Sequence, residues 1–151
     1  MGSVHAEVTL KNSADEAKAR EGLIKPENVR AVTVKALVDT GAMSLVINEG
    51  MRQKLGLAIT REKSALVANG KRVRCKVTEP VEIYWKNRYS SLPAVVVPGA
   101  RHILLGVIPL EDMDLMVNPV TQELVGAHGD IEECLICYLG GEYENSDRIA
   151  V

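Results

Sequence analysis

The amino-acid sequence predicts one mainly β domain, a barrel or sandwich carrying a few short helices. Three observations predict it. Apolar and polar residues alternate at period two in several stretches, and turn-forming residues punctuate those stretches at short intervals. The apolar residues are β-branched and aliphatic, with no Phe and only 3% aromatics. At 151 residues the chain is long enough to bury one core. Its 46% hydrophobic and 25% charged residues exclude a disordered or collagen-like chain.

Residues 7–11 place Val8 and Leu10 on one face of a first strand. Ser13 with Glu16 reads as a capping box for a short helix that Gly22 and Pro26 stop. A strand over Ala31–Val38 sets Val32, Val34, Ala36 and Val38 on one face, with Thr33 and Lys35 opposite. Asn48 reads as the cap of a helix over Glu49–Leu55, ended by Gly56. Asn69-Gly70 reads as a two-residue hairpin turn with φ > 0 tolerated at both positions. The strand that leaves it, 72–77, alternates bases with Val73, Cys75 and Val77. Strands over 81–85 and 92–97 follow, with Lys86-Asn87-Arg88 between them. The second is nearly all apolar, as a strand buried on both sides would be, and Pro98-Gly99 ends it. Pro109 suits the first turn of a last helix running through Met116, with Asn118-Pro119 beyond it. The apolar run 134–139 fits a strand or a helical turn equally, and 140–151 reads as a polar tail.

Several functions are disfavoured by composition. No apolar run approaches the ~20 residues that span a bilayer, and the N-terminus lacks the apolar block of a secretory signal. Eighteen Lys plus Arg against 20 Asp plus Glu give −2, which argues against a dedicated nucleic-acid binder. Cys75, Cys134 and Cys137 make no disulfide framework, and a single C-x-x-C with His5, His102 and His128 scattered elsewhere makes no zinc site. Glu111, Asp112 and Asp114 look like a metal cluster on paper but read better as acids near the start of the last helix. Tyr84 and Trp85 read as packing residues. Lys71, Arg72, Arg74 and Lys76 read first as a solvated strand face, and as a preference for acidic substrate side chains second. The expectation is a soluble, cytoplasmic protein with no metal, no cofactor, no membrane and no nucleic acid.

The most informative stretch is Leu37-Val38-Asp39-Thr40-Gly41-Ala42. A carboxylate at the end of an apolar strand, two residues before Gly, is expected to be desolvated and would then be either compensated or functional. Asp and Gly also form ordinary turns, so the tripeptide alone carries little. Two further features give it context. Ile103-Leu104-Leu105-Gly106 precedes a short helix, and between the two motifs lies the hairpin at Val67, Ala68, Asn69, Gly70 and Lys71. With these residues in this order, the sequence resembles the retropepsin-like aspartic proteases, the small prokaryotic single-domain type, over residues 4–125.

The resemblance implies a mainly β fold, a closed acid-protease barrel with one to three short helices, over residues 1–126. Residues 127–151 would be a C-terminal extension, a dimer-interface strand and then a polar tail. It implies an aspartic endopeptidase whose substrate is a peptide or protein, active as a two-fold homodimer because each chain supplies one Asp39 to a two-carboxylate site. The Thr40 hydroxyl would bond to the facing subunit, Gly41 would approach the partner Asp39 closely, and Ala42 would lie against substrate. Val67, Ala68, Asn69, Gly70 and Lys71 would form the flap, while Leu104, Leu105 and Gly106 would support the Asp39 loop from beneath. Retroviral flaps carry more glycine and pepsin-like ones a tyrosine; this hairpin has neither. A catalytically silent dimeric binding or assembly module on the same fold is the alternative.

Overall fold

Period-two alternation builds the first two strands. In the computed structural model, which describes residues 2–134, β1 (His5–Asn12) buries Ala6, Val8, Leu10 and Asn12 on one face. It pairs antiparallel with β2 (Ala31–Val38), setting Val8 opposite Val34 and Ala6 opposite Ala36. Between them lies α1 (Ser13–Arg20), capped by Asn12 and not by Ser13. Asn12 accepts the Asp15 N–H at 3.0 Å while its Nδ2 donates to the Leu55 carbonyl at 2.8 Å. A carboxamide can do both at once; the Ser13 hydroxyl instead donates to Glu82.

Next come β3 (Leu45–Ile47) and α2 (Glu49–Leu55). Both ends of α2 are as expected: Asn48 accepts the Met51 N–H at 2.9 Å, and Gly56 turns left-handed at φ 61°. β4 (Ile59–Leu66) was not expected, because it is almost wholly exposed and has no apolar face. Its partner β5 (Arg72–Trp85) defines it. The two strands read over 72–77 and 81–85 are this single 14-residue strand. Its pairing with β6 (Arg88–Val96) shifts register between Val77 and Pro80, so Pro80 is absorbed at an irregularity opposite Pro93. β6 starts at Arg88, leaving a tight Lys86-Asn87 turn. β7 (Leu104–Leu105), α3 (Val107–Asp112), β8 (Leu115–Asn118) and β9 (Glu123–Gly126) complete the described chain.

The last helix departs from expectation at both ends. It begins two residues before Pro109 and stops at Asp112, and Met116 belongs to a strand. Glu111 and Asp112 therefore sit in its last turn, not its first, and Asp114 lies beyond it at φ 53°. Asp112 accepts the Ser90 hydroxyl at 2.6 Å. Asp114 is buried among three donors: Arg88 Nη1 at 3.5 Å, His128 Nδ1 at 2.7 Å and the Glu133 N–H at 3.0 Å. Arg88, 1% exposed, also donates to the carbonyls of Met113 (3.1 Å) and Gly129 (2.7 Å), tying residues after β9 to the domain. Burial alone would raise the Asp114 pKa, but the Glu133 amide, His128 and Arg88 together hold it below the ordinary range.

The fold is mainly β, with three α-helices among the described residues. One seven-stranded sheet runs β1-β2-β7-β3-β6-β5-β4, and β1 pairs additionally with β5, leaving β4 outermost. β8 and β9 form a separate hairpin. Leu10, Leu45, Ile47, Leu55, Ile83 and Leu105 are fully buried, each contributing about 1.5–3 kcal/mol of transfer free energy. No described helix is long and apolar enough to cross a membrane. Cys75 is buried and Cys134 exposed, both free; Cys137 and the rest of the 134–139 run lie outside the described residues.

Candidate active site

β2 delivers Asp39 to its end, where the Asp39 N–H donates to the Leu105 carbonyl at 3.0 Å. That bond continues the parallel pairing of β2 with β7, in which Leu37 faces Leu104 and Val38 faces Leu105. On its other side β7 pairs with β3, Leu105 facing Leu45. Leu105 is fully buried and Leu104 half-buried, so the strand is wedged beneath both arms of the Asp39 loop. The loop itself turns tightly, the Ala42 N–H reaching the Asp39 carbonyl at 3.1 Å.

The start of α3 seats this loop. A helix leaves its first four N–H groups without intrahelical partners. Here Gly106 donates to the Ser44 carbonyl (3.0 Å), Val107 to that of Ala42 (2.9 Å) and Ile108 to that of Met43 (2.8 Å). The fourth position is Pro109, which has no N–H. All four are thereby accounted for, three of them by the loop that carries Asp39. Gly106 has an ordinary φ of −88°, so contact and not conformation demands glycine. A Cβ there would lie 2.5 Å from the Ser44 oxygen and 2.6 Å from that of Ala42.

The Asp39 side chain is half-buried, and its Oδ1 accepts the Gly41 N–H at 2.9 Å. A Cβ on Gly41 would stand 3.1 Å from that same oxygen. Among the described residues no cation and no second carboxylate pairs with Asp39. Thr40 and Gly41 are exposed and Ala42 is half-buried. The Thr40 hydroxyl makes no hydrogen bond among the described residues. Two apolar side chains flank the loop in the open, Met43 (69% exposed) and Ile108 (46%).

The structure thus brings Asp39, Thr40, Gly41, Ala42, Leu104, Leu105 and Gly106 into one unit. The expected flap residues form a hairpin on a different part of the sheet, between β4 and β5, with no hydrogen bond to the Asp39 loop. Its turn is wider than expected. Val67, Ala68, Asn69, Gly70 and Lys71 form a five-residue loop in which the Val67 N–H bonds to the Lys71 carbonyl at 3.0 Å. The Asn69 side chain accepts the Lys71 N–H at 2.9 Å, and only Gly70 takes positive φ, 81°. The backbone closes the loop, the Gly70 N–H also reaching the Val67 carbonyl at 2.9 Å, with Gly70 in the left-handed position and the Asn69 side chain adding a further bond.

Sequence reasoning missed Met43, Ser44, Val107 and Ile108, whose backbones lock the loop. Pro109 held the usable signal: a proline in the first turn marks a helix start, where the preceding amides have no intrahelical acceptor and must find one elsewhere. Among the described residues no group of three His, Cys, Asp or Glu side chains is arranged to hold a metal ion. What remains is a half-buried carboxylate on a loop held by backbone hydrogen bonds, with exposed Thr40 and Gly41 beside it. Residues 26–108 match the family model described as aspartyl protease, a stretch that includes the Asp39 loop, the hairpin and the Gly106 seat. No curated protein matches the chain.

Proposed function

We propose, because this chain belongs to the aspartyl protease family, that it is an aspartic endopeptidase in which Asp39 of each subunit of a two-fold homodimer forms the catalytic dyad. The observation that carries this reading is the open, unpaired Asp39 carboxylate on a loop locked by Leu105 and by the amides of residues 106–108. One carboxylate cannot serve as acid and base together. Two facing copies can, because like charges a few ångströms apart cannot both ionise and so share one proton.

In this mechanism the ionised carboxylate takes a proton from water, and the resulting hydroxide attacks the scissile carbonyl carbon. The protonated partner gives its proton to the developing oxyanion. Collapse of the tetrahedral species breaks the C–N bond, a proton goes to the leaving amine, and the pair again holds one proton. Water is the nucleophile, so the chemistry calls for no cofactor. Gly41 N–H steadies the charge on Asp39, and exposed Thr40 is available to bond across the two-fold axis. Ala42 would line the cleft, and the hairpin of Val67, Ala68, Asn69, Gly70 and Lys71 would act as its lid. The free thiols of Cys75 and Cys134 suit a cytoplasmic protein.

The test is cleavage of a complex peptide library from acid to neutral pH by wild type and Asp39→Asn, read by mass spectrometry. The expected result is cleavage by wild type alone with a bell-shaped pH profile. Cleavage by both, or a rate rising steadily into alkali, contradicts the dyad. Silence from a folded wild-type dimer favours the binding-module alternative.

A further inference from the structure

The β4–β5 hairpin arm is strongly positive. Residues 59–77 hold Arg61, Lys63, Lys71, Arg72, Arg74 and Lys76 against the single acid Glu62, in a chain whose net charge is −2. All six cations are exposed. Arg74 is paired, its Nε lying 2.6 Å from Glu62. The other five have no ion-pair partner among the described residues.

Register distributes this charge over both faces. Cross-strand partners share a face, and alternate residues along a strand share one too. Arg72, Arg74 and Lys76 stand opposite Leu66, Ser64 and Glu62 on one face. Arg61 and Lys63 stand opposite Val77 and Cys75 on the other. The second face also carries the buried Cys75 and Val77, so the face of Arg72, Arg74 and Lys76 is the one free along its length, and it is positive. β4 is also the last strand of the sheet, so its outer edge presents unpaired backbone groups to an extended peptide. A lysine such as Lys63 would by itself keep a stray edge strand away; five unneutralised cations exceed that need.

We propose that this hairpin makes the enzyme selective for peptides in which acidic residues flank an apolar stretch. The apolar part is read beside Asp39, where Met43 and Ile108 stand exposed, and the acids are read by the hairpin. The inference rests on the peptidase reading, with the hairpin as the lid over substrate. The chain itself contains a sequence of this type: residues 130–147 hold six acids and no base around the apolar run 134–139.

Two measurements test it. Fluorescence anisotropy with Asp39→Asn compares a labelled peptide of sequence 130–147, both cysteines replaced by serine, with a counterpart whose acids are Gln or Asn. The acidic peptide is expected to bind roughly tenfold more tightly at low salt, from a few screened ion pairs. The difference should vanish near 1 M salt, where the Debye length falls to about 3 Å. Library cleavage by wild type should show acids enriched around the cleaved bonds, and Arg72→Glu/Lys76→Glu should abolish or invert that enrichment. Because enrichment compares peptides within one enzyme, a change in overall activity does not affect it. Equal binding of the two peptides, enrichment unmoved by the charge reversal, or tighter binding of an oligonucleotide of equal charge would each overturn the proposal. Cleavage of no peptide counts against the peptidase reading instead, and the anisotropy comparison still decides the selectivity.

Discussion

Replacing Gly106 by alanine tests the account of how Asp39 is held. The added Cβ would sit 2.5 Å from the Ser44 oxygen, 2.6 Å from the Ala42 oxygen and 2.8 Å from the Met43 carbonyl carbon. These are backbone atoms and cannot swing aside as a side-chain end would. The loop must retreat by roughly one ångström to restore ordinary contact, at an overpacking cost of about 1–3 kcal/mol. Retreat also stretches the three hydrogen bonds from residues 106–108, each contributing about 1 kcal/mol. The expected loss is therefore about 2–4 kcal/mol in urea unfolding. Peptide cleavage should fall about a hundredfold in the remaining folded protein, because misplacing a reacting group by ~1 Å has that effect. Gly50→Ala is the control: its Cβ meets only Asn48 Oδ1 at 3.5 Å, so stability should be unchanged or rise by up to ~1 kcal/mol. A Gly106→Ala protein within about 0.5 kcal/mol of wild type and fully active would refute the reasoning.

Three further outcomes are expected. Arg88→Met should destabilise by about 3–5 kcal/mol in thermal or urea unfolding, because Asp114 and the Met113 and Gly129 carbonyls lose a buried donor. Asp15, held low first by its side-chain bonds to Arg30, and Asp114, held low by donors that outweigh its burial, both ionise more easily when folded. Their contribution is complete above the ordinary value of 3.8 and disappears as pH falls through the depressed folded values, so a urea series should show stability declining below about pH 4; stability that instead rose on acidification would contradict the sign. Asn12→Ala should cost about 2 kcal/mol, since one buried carboxamide both caps α1 and binds Leu55, whereas Ser13→Ala should cost under about 0.5 kcal/mol. Equal losses would return the cap to Ser13.

Local chemistry was readable in the sequence and distant pairing was not. α2 was legible at both ends because Asn48 and Gly56 act on backbone within four residues of themselves. β2 and Asp39 were legible because alternation and the turn residues that follow are contiguous. β4 was not, since Thr60, Arg61, Glu62, Lys63 and Ser64 have no apolar rhythm and become a strand only against β5. The stretches 72–77 and 81–85 join into one strand because a register shift between Val77 and Pro80 accommodates a proline that cannot donate to the ladder, which only the pairing with β6 reveals. Arg88 looked like a turn residue after Lys86-Asn87; the groups that bury it come from Met113, Asp114 and Gly129, far along the chain. The carboxylate of the candidate site was visible in the sequence, and so was the support from Leu104, Leu105 and Gly106 through the resemblance; the hydrogen bonds from residues 106–108 to the loop carbonyls were not, because they join backbone groups more than 60 residues apart.

The central claim is that two chains each contribute one Asp39 to a single site. Mixing wild type with Asp39→Asn at constant total chain concentration, after subunit exchange, tests it most directly. If activity needs both carboxylates, equal mixing leaves about a quarter of the dimers competent, and activity should fall as the square of the wild-type fraction. A linear fall, to about half at equal mixing, would mean that each chain works alone and would contradict the dyad.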